Sequence, residues 1–194
     1  MKRNIRKLIV FVMVAAIAMF IAVAMASADD HSGKKTIKGE YTFSGSGACT
    51  LAPGGFYDNF TPKNVALASM GPNTWEGAYT FHYNGTGSID AINRYMDTTN
   101  SAGSAHIYWE FTYSVQRGKI TFTYKPDTYV ATYLYGPQAG VTLSGVTFTE
   151  SWNGRISPDG ENLFVSFGVP MKLIPPFPVE IVCNGVHQGF RTGE

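Results

Sequence analysis

Between Ala105 and Lys125 apolar and polar residues alternate with a period of two. Ala105, Ile107, Trp109, Phe111, Tyr113 and Val115 fall on one face of an extended chain, and His106, Tyr108, Glu110, Thr112 and Ser114 on the other. This is the pattern of a half-buried strand. Arg117-Gly118 supplies a two-residue turn that sets Val115 opposite Ile120, Tyr113 opposite Phe122 and Phe111 opposite Tyr124, so every apolar pair shares a face. A one-residue slip would bury the threonines instead. The stretch reads as a β-hairpin.

The same alternation organises the rest of the chain. A strand begins at Thr36, with Ile37, Tyr41, Phe43 and Cys49 on one face. Gly39, Gly45 and Gly47 share that face, which predicts a sharp bend or a close backbone neighbour. Thr50 to Thr74, with Pro53, Gly54, Gly55, Pro62, Gly71 and Pro72, shows no sustained period and reads as one long connection. It either covers the mouth of a pocket or packs Phe56, Tyr57 and Phe60 as a satellite core. Trp75 to Tyr95 is a second hairpin, turning near Asn84-Gly85, with an odd loop and a nearby bulge that pair Phe81 with Ile89, Tyr79 with Ala91 and Trp75 with Tyr95. Thr128 to Tyr135 is a strand. Val146, Phe148, Glu150, Trp152 and Ile156 share a face of a longer one, and Pro158-Asp159-Gly160-Glu161 returns the chain so that Ile156 meets Leu163. Pro170 to Pro178 is a stiff connection or an edge. Val179, Ile181 and Cys183 form a last strand, followed by a glycine-rich tail.

Eight or nine strands joined by short reversals make an all-β protein. An antiparallel up-and-down meander closed into a barrel is the economical architecture, because closure removes exposed edges. A β-sandwich is the alternative. The 21 glycines and 14% aromatic residues fit many turns and pleated, half-buried surfaces.

Lys2, Arg3, Arg6 and Lys7 precede an apolar run from Leu8 to Met25 that ends at Ala26-Ser27-Ala28. Residues 1–28 read as a secretory signal peptide, 29–35 as a flexible leader and 36–194 as a single domain. A retained membrane anchor is the other reading of the apolar run. Cleavage after Ala28 leaves 11 basic against 14 acidic residues, a net charge of −3. That balance points away from nucleic acid and from charge-driven membrane binding. The expected location is the periplasm or the extracellular space.

Cys49 and Cys183 are the only cysteines, and each lies in phase with its strand's apolar face. In an exported chain they predict a disulfide joining the first strand to the last, where a barrel makes those strands neighbours. Two separate buried thiols are the alternative. The four histidines show no ligand spacing, so neither a metal nor another cofactor is expected.

Gly39-Glu40-Tyr41, followed by a long loop and a run of hairpins, resembles the calycin superfamily of lipocalin-like barrels, and within it a family of secreted bacterial barrels. Tyr41 stands where the lipocalin G-x-W signature has tryptophan, and the helix that follows the barrel in lipocalins has no counterpart in Gly185 to Glu194. The layout is also similar to the allene-oxide-cyclase and dirigent barrels. The resemblance implies a cup that holds a small, apolar or amphipathic molecule.

Among candidate site residues Glu150 stands out, a carboxylate in phase with Val146, Phe148 and Trp152. It either orients a ligand or works as an acid or base inside the barrel, or it pairs with Arg94 or Arg155 or reaches solvent. Trp152, Trp109, Phe111, Phe81 and Tyr79 complete the inward face that a ligand would meet; at strand period such rings also serve as core. His82, His106 and His187 read as surface residues. With no G-x-S-x-G elbow, hydrolysis is set aside and no catalytic residue is assigned. The readings left open are an isomerase or cyclase using the same cup, an integral outer-membrane barrel and a structural surface protein.

Overall fold

The hairpin expected at 105–125 is present in the expected register. In the computed structural model, strands β4 (Ala102–Gln116) and β5 (Lys119–Tyr124) pair Val115 with Ile120, Tyr113 with Phe122 and Phe111 with Tyr124. Arg117 and Gly118 both have positive φ, at 51° and 72°, the backbone that a two-residue turn needs to follow the strand twist. The structure describes residues 37–96, 101–148, 151–167, 171–174 and 179–193. The expected signal peptide 1–28 and leader 29–35 lie outside them, and so does Glu150.

The other strands are β1 (Gly39–Pro53), β2 (Ser69–Phe81), β3 (Thr86–Met96), β6 (Val130–Tyr135), β7 (Thr142–Ser144), β8 (Thr147–Phe148), β9 (Trp152–Ile156), β10 (Asn162–Ser166), β11 (Met171–Ile174) and β12 (Val179–Gly193). The sheet is antiparallel and closes on itself. Its ring runs β1-β2-β3-β4-β5-β9-β10-β12 and returns to β1 through the β1–β12 pairing. A sandwich is therefore excluded.

Among the described residues the twelve strands are eight long runs, three of them interrupted. β5 and β6 pair in turn with the two halves of β4, and β10 and β11 with the two halves of β12. β7, β8 and β9 follow one another along the next run. Lys119 pairs with Arg155, and further along Val130 pairs with Ser144, so the runs β5–β6 and β7–β9 flank each other at both ends and part between. The parting has a local cause. Pro126 has no N–H to give a ladder, and Asp127 follows with φ 63°. Thr128 stitches the corner: its hydroxyl accepts from the Glu110 N–H at 3.0 Å, at the point where β4 changes partner. The gap is filled by Tyr124, Tyr129, Val146 and Phe148, all buried; the Tyr124 hydroxyl donates to the Val146 carbonyl at 2.8 Å, and its ring meets Phe148 edge-on at 4.5 Å.

Four expectations change. β1 runs on to Pro53 and β2 starts at Ser69, so the connection between them is 54–68 and both Gly71 and Pro72 lie in a strand. The connection does not cover a mouth. It folds against the outer wall, where Phe56 packs with Ala52 and Val182, Phe60 joins them, and the Phe56 N–H donates to Glu180 at 2.8 Å; Tyr57 remains exposed. The β2–β3 register is two residues from the expected one, pairing Phe81 with Gly87, Tyr79 with Ile89 and Trp75 with Asn93, with no shift along its length. A shift of two keeps every side chain on its face, so the alternation could not separate the two registers. Within the proline tract, Met171–Ile174 contains no proline and forms a strand between β12 and β8, not an edge. The last strand continues through the expected tail to Gly193, because β1 offers it partners all the way to Glu40.

Cys49 and Cys183 are direct cross-strand partners on the β1–β12 seam and form the disulfide, with Cα atoms 4.1 Å apart. Inside, the aromatic side chains form one cluster. Trp152 stacks on Phe122 with centroids 5.3 Å apart, Phe122 meets Phe111 edge-on, and Trp109 meets Trp152 at 6.5 Å. One end of the ring is closed by its own side chains: the Tyr41 hydroxyl donates to the Gly160 carbonyl at 2.6 Å, and the Tyr113 hydroxyl to the carbonyl of His82 at 2.7 Å.

Two stability outcomes are expected. The bridge encloses a separation of 134 residues, for which the chain-entropy relation gives about 5 kcal/mol. Urea denaturation with and without reductant should show a loss toward that size. Trp152→Ala should cost about 3–5 kcal/mol, read from the same titration, because a fully enclosed indole leaves a cavity.

Candidate functional site

Polar atoms on the inward faces stand out because the rest of the interior is aromatic or aliphatic. His187 lies on β12, two positions beyond Gly185 and four beyond Cys183, with its side chain pointing into the ring and 3% exposed. This corrects its expected surface position. Nothing on its own strand signals the burial except parity with Cys183, since Gly185 and Gly189 are the inward residues on either side. The space comes from across the seam: Gly45 is its β1 partner, and a Cβ there would lie 2.2 Å from the imidazole Cδ2. The alternating glycines of β1 are thus the close-approach positions that the sequence suggests.

The imidazole stacks on Phe43 with centroids 4.6 Å apart and is flanked by Trp75 and Phe167. Its Nδ1 lies 2.6 Å from the Tyr79 hydroxyl, while Nε2 is buried with no hydrogen-bond partner among the described residues. Burial without a nearby anion disfavours the imidazolium, so the pKa of His187 is pulled down to about 3, and the same burial pushes Tyr79 well above its usual 10. Near neutral pH both are uncharged. A histidine this weakly basic and a tyrosine this weakly acidic are poorly matched to proton transfer.

Trp109 and Trp152 meet each other at 6.5 Å, and Trp109 lies beside the gap in the wall. Both indole N–H groups are buried with no acceptor among the described residues. Trp109 contacts Tyr129 and Phe148, two of the side chains that fill the gap. Phe81 and Phe111, also expected in the site, sit toward the closed end among Tyr41, Phe122 and Tyr113. Tyr79 stands between the two groups, contacting Phe43 and His187 on one side and Phe111 and Phe122 on the other.

At the end opposite Tyr41 and Gly160, inward side chains are partly exposed, among them Leu51, Asn93, Tyr95, Tyr133, Leu143 and Ile181. The Asn93 Oδ1 there is a fourth buried polar atom without a partner among the described residues. His106 and His82 are on the outside, His106 paired with Asp90 at 2.7 Å and His82 exposed. No group of three or more metal-ligating side chains occurs among the described residues.

The buried imidazole sets an expected pH dependence. Unfolded, His187 titrates near 6.5; folded, near 3. Between these values the unfolded chain binds a proton that the folded chain does not, so stability falls as the pH drops through this window. The fall attributable to His187 is about 3 kcal/mol between pH 7 and pH 4. Urea midpoints at the two pH values check this: His187→Gln should lower the stability at pH 7 and flatten the difference between the two.

Compared with models of known protein families and with curated proteins, the chain matches none.

Proposed function

We propose that the chain is an exported barrel that binds a small amphipathic molecule in its interior, with hydrogen-bond acceptors of the ligand meeting the Trp109 and Trp152 indoles. The observation that carries this reading is the pair of enclosed indole N–H groups with no acceptor among the described residues. An indole nitrogen can only donate, and leaving a buried donor unmade costs about 1–3 kcal/mol. Two such donors near each other on an aromatic wall match a ligand with a flat or chain-like apolar body and a carbonyl or carboxylate end. His187 Nε2 and Asn93 Oδ1 offer further polar contacts. The partly exposed inward residues at the open end provide the approach.

Binding is favoured over an isomerase or cyclase because the Tyr79–His187 pair is uncharged and distant in pKa from neutrality. Glu150, the acid or base that an enzyme of this kind would use, lies outside the described residues. The outer wall supports an aqueous setting over an outer-membrane one. Thr42, Ser44, Glu76, Asp90, His106 and Glu110 point outward while the interior is apolar, the reverse of a lipid-embedded barrel. No helix among the described residues is long and apolar enough to cross a membrane. The disulfide belongs to an oxidising compartment and supports export.

Native mass spectrometry of the purified chain, together with tryptophan emission on adding dodecanoate, tests the reading. A bound small molecule, or a dodecanoate-dependent shift in emission, is the expected result. Trp109→Phe and Trp152→Phe should weaken retention while the fold persists. A chain that always flies at its bare mass and shows no emission change would remove the proposal.

A further inference from the structure

The outer wall carries a second feature, independent of the interior. Where β5, β9, β10, β12 and β1 lie side by side, cross-strand pairing aligns Lys119, Arg155, Phe164, Gln188 and Ser44 in one outward row. With strands about 4.8 Å apart, the row is about 19 Å long. Val186 and Phe190 stand diagonally beside Phe164, and all three are about half exposed, at 55%, 54% and 49%. Asn153 and Ser166 form the next row, with the Thr121 hydroxyl bonded to Asn153 at 3.0 Å. Lys119, Asn153, Arg155, Phe164, Ser166 and Val186 border a shallow depression of about 400 Å³.

The charge arrangement is the informative part. Lys119 and Arg155 face each other directly across β5 and β9, a like-charge pairing that costs stability in a sheet. Neither has a carboxylate partner among the described residues. Four other surface cations each have a carboxylate: Arg94 with Glu76, Lys125 with Glu110, Lys172 with Glu180 and Arg191 with Glu161. A cation pair with no carboxylate among the described residues, beside the exposed Phe164 ring and with Asn153, Ser166 and Gln188 on the same face as Val186 and Phe190, suits an anion with a flat apolar face and many hydroxyl groups.

We propose that this face binds an acidic oligosaccharide. Sugar carboxylates meet the Arg155 guanidinium and the Lys119 ammonium, the apolar face of one ring lies on Phe164, and hydroxyls meet Asn153, Ser166 and Gln188. An extended peptide fits less well. These strands are paired on both sides, so no backbone edge is open to it. A lipid surface fits less well too, since only Phe164, Val186 and Phe190 are apolar among polar neighbours.

The experiment is calorimetric titration of the full chain with tetragalacturonate, with maltotetraose and phosphatidylglycerol vesicles as comparisons. Tetragalacturonate should bind, more weakly as salt rises. Phe164→Ala and Arg155→Gln should each weaken it about tenfold, a loss of about 1.4 kcal/mol. Lys119→Glu replaces the like-charge pair with an opposite one, so the melting temperature should hold or rise while binding is lost. That combination separates a lost contact from a damaged fold. No binding, equal binding of maltotetraose, preference for the vesicles, or tetragalacturonate binding that ignores Phe164→Ala would overturn the proposal, the last because it would be ion exchange alone.

Discussion

The structure depends on the seam between its first and last strands. β1 and β12 are each 15 residues long and pair along almost their whole length, with Cys49 and Cys183 locked opposite each other. No turn joins these strands, so the pairing must be held by the ladder, the disulfide and the side chains on either face. Closure gives β1 and β12 two neighbours each. It also turns every inward side chain toward a common axis, which makes the interior a packing problem of fixed width.

That problem is solved with rings set against glycines. Gly45 makes room for His187, and Gly87 lies directly under the Phe111 ring, where a Cβ would come within 2.6 Å of it. Large and small residues alternate between facing strands, and the rings meet edge-on or stacked at the distances aromatic pairs prefer. The density has a cost: among the described residues, four inward polar atoms are enclosed without partners. Three of them, on Trp109, Trp152 and His187, lie among aromatic rings that offer no strong acceptor or donor. They are the features of the interior that packing alone does not explain, and the binding reading rests on them.

The outer wall follows different rules. Several of its charged side chains pair across strands, and the 54–68 connection is tied down by Glu180, which accepts from the Phe56 N–H and pairs with Lys172 at 2.8 Å. Backbone pairing, not side-chain contact, decides which outward residues become neighbours. The row from Lys119 to Ser44 draws on five strands spread through the chain, and no local pattern relates them.

What the sequence by itself determined was whatever depends on local alternation and on a turn that admits one register. The β4–β5 hairpin, the inward placement of Trp109 and Trp152 and the reversal that pairs Ile156 with Leu163 are of this kind, and the Cys49–Cys183 bridge follows once the chain is taken to close on itself. Tertiary structure alone decided what alternation cannot see. The β2–β3 register could move by two residues without changing any face. β12 continues past Cys183 because β1 is there to pair with it, although inward Gly185, His187 and Gly189 carry no hydrophobic signal. His187 is buried because Gly45, 142 positions earlier in the chain, leaves it space. A side chain's face is written in its immediate neighbours, but its environment is set by strands brought alongside through closure.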